Sequence, residues 1–316
     1  MCSSDLQRLQ HSAIVLVLVV ILAFVGTNLM PGDTIAAAVA ETGQGDAETI
    51  AALKVQFGLD KPLPVQLVNW AGNFVRGDWG VSIGTGQQVF DMFVERLPPT
   101  LELFIGGTIW SLLLGLPTGF AAALRPDSWL DRILSTSAMI GISLPAFCAG
   151  ILFIYLFAVW LPIFPPSGYV SFDRDPAANF EALFLPSLVL GIINAGFLAR
   201  YVRSNMLEIL RQDYIRTARA KGLSEVGILL FHAIRPAMIS LLTVIGLSFS
   251  TMVTGAFFVE VIFAIPGLGQ MGVQAIFGKD IAVIQAMLVL TAINVLVINL
   301  LIDLMYAVLD PRVRIE

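Results

Sequence analysis

Residues 284–308 read IQAMLVLTAINVLVINLLIDLMYAV, and this stretch decides the fold. Its one charged side chain is Asp303, and nothing in it breaks a helix. A helix of this length rises about 37 Å, enough to cross a hydrocarbon layer of about 30 Å. Lipid offers the backbone no hydrogen-bond partners, so the run must satisfy itself as a helix, despite its Val-rich and Ile-rich parts.

Five further runs have the same character: Ala13 to Met30, Thr100 to Leu124, Ile133 to Leu161, Leu185 to Met206 and Ala237 to Ala264. The expected fold class is therefore an all-α integral membrane bundle of six transmembrane helices. Composition agrees: of 316 residues 57% are hydrophobic and only 13% charged, with mean hydropathy +0.85, which excludes a water-solvated globule. The first run is long for a signal peptide and Pro31-Gly32-Asp33 is no small-residue cleavage site, so it reads as a retained helix. Cys2 and Cys148 are too differently placed to suggest a disulfide.

Basic residues set the orientation. With the N-terminus inside, Arg8, Arg125, Arg132, Arg200, Arg203, Arg211, Arg216, Arg219, Lys221, Arg235, Arg312 and Arg314 fall on or near the cytoplasmic side. Both termini are then cytoplasmic. The net charge of −5 is split between segments and indicates no partner; nucleic acid binding is not suggested.

The chain divides by reading into the N-terminus and first span (1–30), an extracytoplasmic cap segment (31–99) and a five-helix core (100–316) with a cytoplasmic loop at 205–236. Within the cap, Asp46 to Phe57 favours helix, Gly58, Pro62 and Pro64 interrupt it, Val65 to Arg76 resumes, and Gly77-Asp78-Trp79-Gly80 turns the chain. No internal repeat or low-complexity tract is evident.

The 205–236 loop carries the most information. Met206 to Lys221 favours helix, Gly222 supplies a position where positive φ is cheap, and Ser224 can cap a second helix from Glu225 to Ile234. Arg211, Arg216, Arg219 and Lys221 place positive charge beside the small residues Thr217, Ala218 and Ala220. Such a surface suits docking into a partner's groove. It equally suits a basic juxtamembrane loop held near anionic lipid.

Resemblance separates the two. Tyr214-Ile-Arg-Thr-Ala-Arg-Ala-Lys-Gly222-Leu-Ser-Glu225 with His232-Ala-Ile-Arg-Pro236 resembles the coupling loop of ABC importer permeases of the dipeptide, oligopeptide and nickel group, which depend on a binding protein. Further landmarks stand in family order: Phe57-Gly-Leu-Asp-Lys-Pro-Leu-Pro64, Gly77-Asp-Trp-Gly-Val-Ser82, Glu95-Arg-Leu-Pro98, Ser128-Trp-Leu-Asp131, Gly141-Ile-Ser-Leu-Pro145, Pro266-Gly-Leu-Gly269 and Leu309-Asp-Pro-Arg-Val-Arg314. Arg216 replaces the acidic residue of the general importer pattern, as in the peptide-type branch, and Met1-Cys-Ser-Ser-Asp5 departs from the family's usual basic opening.

The resemblance implies a type I importer permease with a small extracytoplasmic domain after the first span, in the bacterial inner membrane. It also implies three kinds of partner beside membrane lipid: a second permease, two ATPase subunits that bind ATP-Mg, and an extracytoplasmic substrate-binding protein. The loop residues expected to dock the ATPases are Arg216, Thr217, Ala218, Arg219, Ala220, Lys221, Gly222, Leu223 and Ser224. A stand-alone secondary transporter or channel is the alternative reading.

The sequence offers no chemistry of its own. Gly278-Lys279 lacks the upstream glycine of a phosphate loop, with Val273 in its place, and Asp280 stands where a hydroxyl is required. The histidines are His11 and His232, the latter expected at the surface, so no His-based metal site is expected. An enzyme is not expected. Among polar residues in the spans, which also include Asn194 and Asn294, Glu102 and Glu260 are expected to reach the outer interface, while Asn299 and Asp303, one turn apart, are expected to contact a neighbouring helix rather than the pathway. Gly106, Gly107, Gly115 and Gly119 are expected to admit close helix approach, and Pro117 and Pro145 to permit kinks.

Overall fold

The computed structural model describes residues 3–29, 55 and 60–309. Most of the expected Asp46 to Phe57 helix, the break at Gly58 and the end of the chain beyond Leu309 lie outside these residues, as does the side chain of Asp303. All the elements named below are helical, and one isolated antiparallel bridge joins Val81 to Gln88.

In chain order the helices are α1 (Ser3–Asn28), α2 (Leu63–Val75), α3 (Val89–Leu124), α4 (Trp129–Ser143), α5 (Ala146–Ile154, continued as a π-helical stretch Tyr155–Trp160), α6 (Pro176–Leu210), α7 (Asp213–Ala220), α8 (Glu225–Ile228, continued as π-helical Leu229–Ala233), α9 (Ile234–Ile262), α10 (Leu268–Phe277) and α11 (Ile281–Leu309). Three are long and apolar enough to cross a membrane within the described residues: α3, α6 and α11 over Ile281–Leu300. The α4–α5 pair makes a fourth crossing if counted as one span. Shorter apolar stretches occur at Ile14–Asn28 in α1 and at Pro236–Gly246 and Met252–Ile262 in α9.

The third expected span is not a single rod. It bends by 103° at the break between α4 and α5. Pro145 sits at the N-cap of α5, where its missing N–H is harmless, while Leu144 is pushed into extended backbone (ψ 117°), as a residue before proline must be.

The chain forms two compact units. One takes the described residues up to Pro98 together with Gly267–Val297; the other takes Pro99–Pro266 and the described residues from Ile298. The first is organised by aromatic rings. Phe24 meets Trp70, Trp70 meets Phe74, Phe74 stacks on Trp79 at 5.0 Å, and Trp79 presents itself to Phe90 and Phe93. Gly77 and Gly80, at φ 90° and 87°, make the expected turn that brings Trp79 back on this ladder. Ser82 Oγ donates to Asp280 Oδ2 at 2.5 Å, and Gln285 Nε2 to Thr27 Oγ1 at 2.8 Å, so α11 is tied to both the loop after α2 and the end of α1.

The second unit is a helix bundle packed through glycines. Cβ positions built on Gly107, Gly115 and Gly119 of α3 would meet Leu190, Leu198 and Val202 of α6 in turn. Positions advance together along both helices, so α3 and α6 run parallel. Against α4 the order reverses: Asp131 meets Arg203, Ala138 meets Gly196 and Gly141 meets Ile192. The α3–α9 pairs Thr100–Glu260 and Thr108–Met252 descend along α9 by eight residues as they climb eight along α3, so these two helices also run antiparallel. Helix directions thus alternate along the chain through α3, α4, α6 and α9. The expected close approach at Gly115 and Gly119 is realised, and lipid-embedded helices rely on such contacts because no hydrophobic gain separates helix from tail.

Two buried clusters occupy opposite ends of this bundle. One gathers Leu103, Leu183, Leu185, Val189, Leu190, Met252, Val259, Phe263 and Ile265. At that end Glu102 accepts from Tyr169 Oη at 3.0 Å and Asn179 Nδ2 at 2.7 Å, and burial with the Glu102 hydrogen bond pushes the Tyr169 phenol up to about 12. Glu260, expected at the interface, is instead wholly buried and accepts from Thr100 Oγ1 at 2.6 Å. Asn194 donates to Leu190 O of its own helix rather than across to a neighbour, and Asn294 and Asn299 are exposed. The other cluster, Ala123, Leu198, Val202, Met206, Ile215, Ala218, Ile228, Ala233, Ala237 and Leu241, includes the 205–236 loop.

Candidate coupling site

The loop departs from the expected helix over Met206 to Lys221. Helix α6 stops at Leu210, Arg211 and Gln212 form a corner, and α7 restarts at Asp213. Gln212 adopts extended backbone at the N-cap, with ψ 150°. Asp213 in the first turn and Arg219 in the last complement the helix dipole. Eight residues are too few to hold a helix alone in water. Packing holds this one: Ile215 and Ala218 are 0% and 5% exposed within the second cluster.

After α7 the chain makes a complete Schellman turn. Gly222 N–H bonds to Arg219 O at 2.9 Å and Leu223 N–H reaches back to Ala218 O at 3.3 Å, with Gly222 at φ 79°. Ser224 caps α8 as expected, its Oγ accepting from Gly227 N–H at 3.2 Å. Across the turn the Arg219 fork grips Glu225, Nε to Oε1 at 2.7 Å and Nη2 to Oε2 at 3.0 Å. The second helix does not end at Ile234. It passes through the π-helical Leu229–Ala233 into α9, and the extra residue accommodates Pro236, which has no N–H to offer the preceding turn. His232, expected at the surface, lies in this stretch half-buried, its shielded Nδ1 without a hydrogen-bond partner among the described residues.

Of the nine loop residues named from sequence, the structure exposes eight: Arg216, Thr217, Arg219, Ala220, Lys221, Gly222, Leu223 and Ser224. Ala218 is the exception. It faces the bundle and anchors α7, because Ile215 and Ala218 lie three apart on one helical face. What remains outward is a basic knuckle with small residues at its tip, presented by a turn with no Cβ.

The Arg219 hydrogen bonds hold the Glu225 carboxylate below its usual range. A depressed carboxylate contributes order that is full above its unfolded value, near 4.3, and is lost as pH falls through the folded one. Protection of α7 amides from hydrogen exchange, corrected for intrinsic rate, is therefore expected to stay flat from about pH 8 to 5 and to decline only below about 4.3. Glu225→Gln should remove that decline. An unchanged acid limb in the variant would show that the pair does not order the turn.

Sequence reasoning overlooked a second polar feature beside this loop. Asp131 of α4 and Arg203 of α6 form a bidentate pair, Nε to Oδ1 at 2.6 Å and Nη2 to Oδ2 at 2.7 Å, with the Asp131 side chain 4% exposed. The only sequence signal was Ser128 three residues before Asp131, a capping pattern confirmed by Asp131 N–H to Ser128 Oγ at 3.2 Å. Among the described residues no cluster of three or more His, Cys, Asp or Glu could hold a metal.

Residues 115–315 match the family described as binding-protein-dependent transport system inner membrane component, and residues 1–104 match that component's N-terminal region. The chain is 40% identical over 312 residues, 98% of each chain, to a peptide transport system permease protein of Brucella abortus. It is 38% identical over 309 residues, again 98% of each, to the glutathione transport system permease protein of Salmonella typhi. Among solved structures, the inward-facing MetNI methionine ABC transporter shares the fold with TM-score 0.59 at 23% identity, over 69% of this chain and 96% of that one. Built around glycine-packed apolar helices and matched along its length, the chain belongs to the binding-protein-dependent transport system inner membrane components, the membrane permeases of ABC importers.

Proposed function

We propose that this chain is one of two permease subunits forming the pathway of an ATP-driven importer for short peptides, the class to which glutathione, a tripeptide, belongs. Its relatives' names support the substrate class. In this reading the chain crosses the bacterial inner membrane six times with both termini cytoplasmic, and residues 31–99 form an extracytoplasmic cap that meets the binding protein. The alternating directions of α3, α4, α6 and α9 support that topology.

One observation carries the division of labour. Apart from Ala218, the knuckle from Arg216 to Ser224 is exposed among the described residues, and the Schellman turn and the Arg219–Glu225 fork hold it in one shape. Two ATPase subunits holding ATP-Mg dock there, and their closure moves the loop, which switches the pathway between outward and inward access. The chain hydrolyses nothing itself.

Reconstitution tests this. Proteoliposomes with the second permease, both ATPases and the receptor should take up peptide only with ATP, and omission of the ATPases should abolish uptake. Solute flux through vesicles holding this chain alone would sink the proposal in favour of a stand-alone channel or carrier.

A further inference from the structure

The Asp131–Arg203 pair does more than neutralise charge. Asp131 Oδ1 accepts from Arg203 Nε and from Ser135 Oγ at 3.0 Å; Oδ2 accepts from Arg203 Nη2 and from Asp127 N–H at 2.9 Å. All the acceptor directions of the carboxylate are used. Asp127 makes its bond from left-handed backbone, φ 62°, a conformation few non-glycine residues adopt.

Its position matters because of what lies around it. Helices α4 and α6 run antiparallel and touch backbone to side chain at Gly196, where a Cβ would lie 2.6 Å from Ala138 O. Beyond that contact, toward the loop, lies a cavity of about 230 Å³ whose lining is part apolar, with Leu134, Ala138 and Met139, and part polar, with Ser135, Arg200 and Arg203. The ion pair bridges the two helices beside that cavity. Arg203 stands seven residues before the end of α6, about 10 Å from the corner into α7. At its other end α4 meets the 103° bend into α5.

We infer that the Asp131–Arg203 fork is the pin that makes α4 move with α6, so that displacement of the docking loop reaches the bent α4–α5 segment instead of being absorbed in the cavity between the helices. Asp131 and Arg203 are positioning residues for coupling, touching neither substrate nor nucleotide. The inference rests on the docking reading above.

The test uses the full reconstituted importer and reads peptide imported per ATP hydrolysed. Arg203→Lys keeps the charge but loses the fork. Asp131→Asn/Arg203→Gln removes both charges, so neither is stranded in a buried site. Both variants are expected to assemble and hydrolyse ATP while import per ATP falls roughly tenfold in the double variant and less in the lysine variant, a size usual for coupling between sites. A pair that is merely structural would lower import and hydrolysis together, or assembly itself, leaving the ratio unchanged; that result overturns the inference. If the unaltered importer shows no ATP-dependent import, the docking reading has failed and the pin with it; if it couples and the double variant couples equally, only the pin has failed.

Discussion

Alanine at Gly191 is expected to abolish recovery of the folded permease. The added Cβ would overlap Trp110 Cβ and stand 2.9 Å from Gly107 O. Carbon atoms in good contact are about 3.5–4.0 Å apart. Neither obstacle is the free end of a side chain: one is the root of an indole, the other is backbone. Helices α3 and α6 would have to separate along their whole parallel seam, losing the contacts of Gly106, Gly115 and Gly119 with Ser187, Leu198 and Val202. Overpacking costs about 1–3 kcal/mol where side chains can yield, and more is expected where backbones meet. Lipid supplies no hydrophobic term to press the helices back together. Size-exclusion profiles and thermal unfolding in detergent check this, with Gly72→Ala as control. Gly72 lies inside α2 with nothing within 4 Å of its would-be Cβ, so alanine there should be neutral or stabilise by up to about 1 kcal/mol. A Gly191→Ala protein as stable as the parent would show that the α3–α6 seam is looser than drawn.

How much of this was readable beforehand differs by kind of feature. The membrane helices were legible because lipid forces a local rule: a long apolar run has no option except helix. So α9 and α11 fall close to their expected limits, while α3 and α6 contain their expected runs but begin about 11 and nine residues earlier, at Val89 and Pro176, where polar residues extend the helix beyond the apolar stretch. Gly222, Ser224 and the Gly77 to Gly80 turn were legible for a similar reason, since positive φ and capping are properties of one residue and its immediate neighbours. The misses depend on neighbours far along the chain. Pro145 announced that a kink was possible, but its size is set by what α4 and α5 pack against. Glu260 looked like an interfacial carboxylate because its burial is decided by other helices. Ala218 looked like part of the docking tip because the corner at Arg211–Gln212, which carries no glycine or proline, rotates α7 so that this residue faces inward. The Asp131–Arg203 pair joins residues 72 apart, and α10 is a short helix that follows α9 and precedes α11 in the chain. No hydropathy window reports either.

The second large effect is expected at Gly222, where proline should eliminate association with the ATPase subunits while leaving the membrane bundle folded. Proline fixes φ near −65°, whereas the turn needs 79°, and it removes the N–H that bonds to Arg219 O at 2.9 Å. Both bonds of the Schellman turn are then lost, because Leu223 N–H cannot reach Ala218 O from a chain leaving in another direction. With the turn gone, Glu225 swings away from the Arg219 fork, and the knuckle no longer presents one surface. The substitution series discriminates conformation from bulk, since a Cβ at Gly222 meets nothing within 4 Å. Asparagine, which visits left-handed backbone readily, should keep most co-purification; alanine, which pays about 1–2 kcal/mol there, should reduce it; proline should abolish it. Unfolding temperature in detergent should barely change across the series, because Ile215 and Ala218 remain packed in their cluster. If proline at Gly222 instead leaves ATPase co-purification and ATP-dependent import at parental levels, docking does not depend on the shape of this turn, and the contact must be sought on another part of the chain.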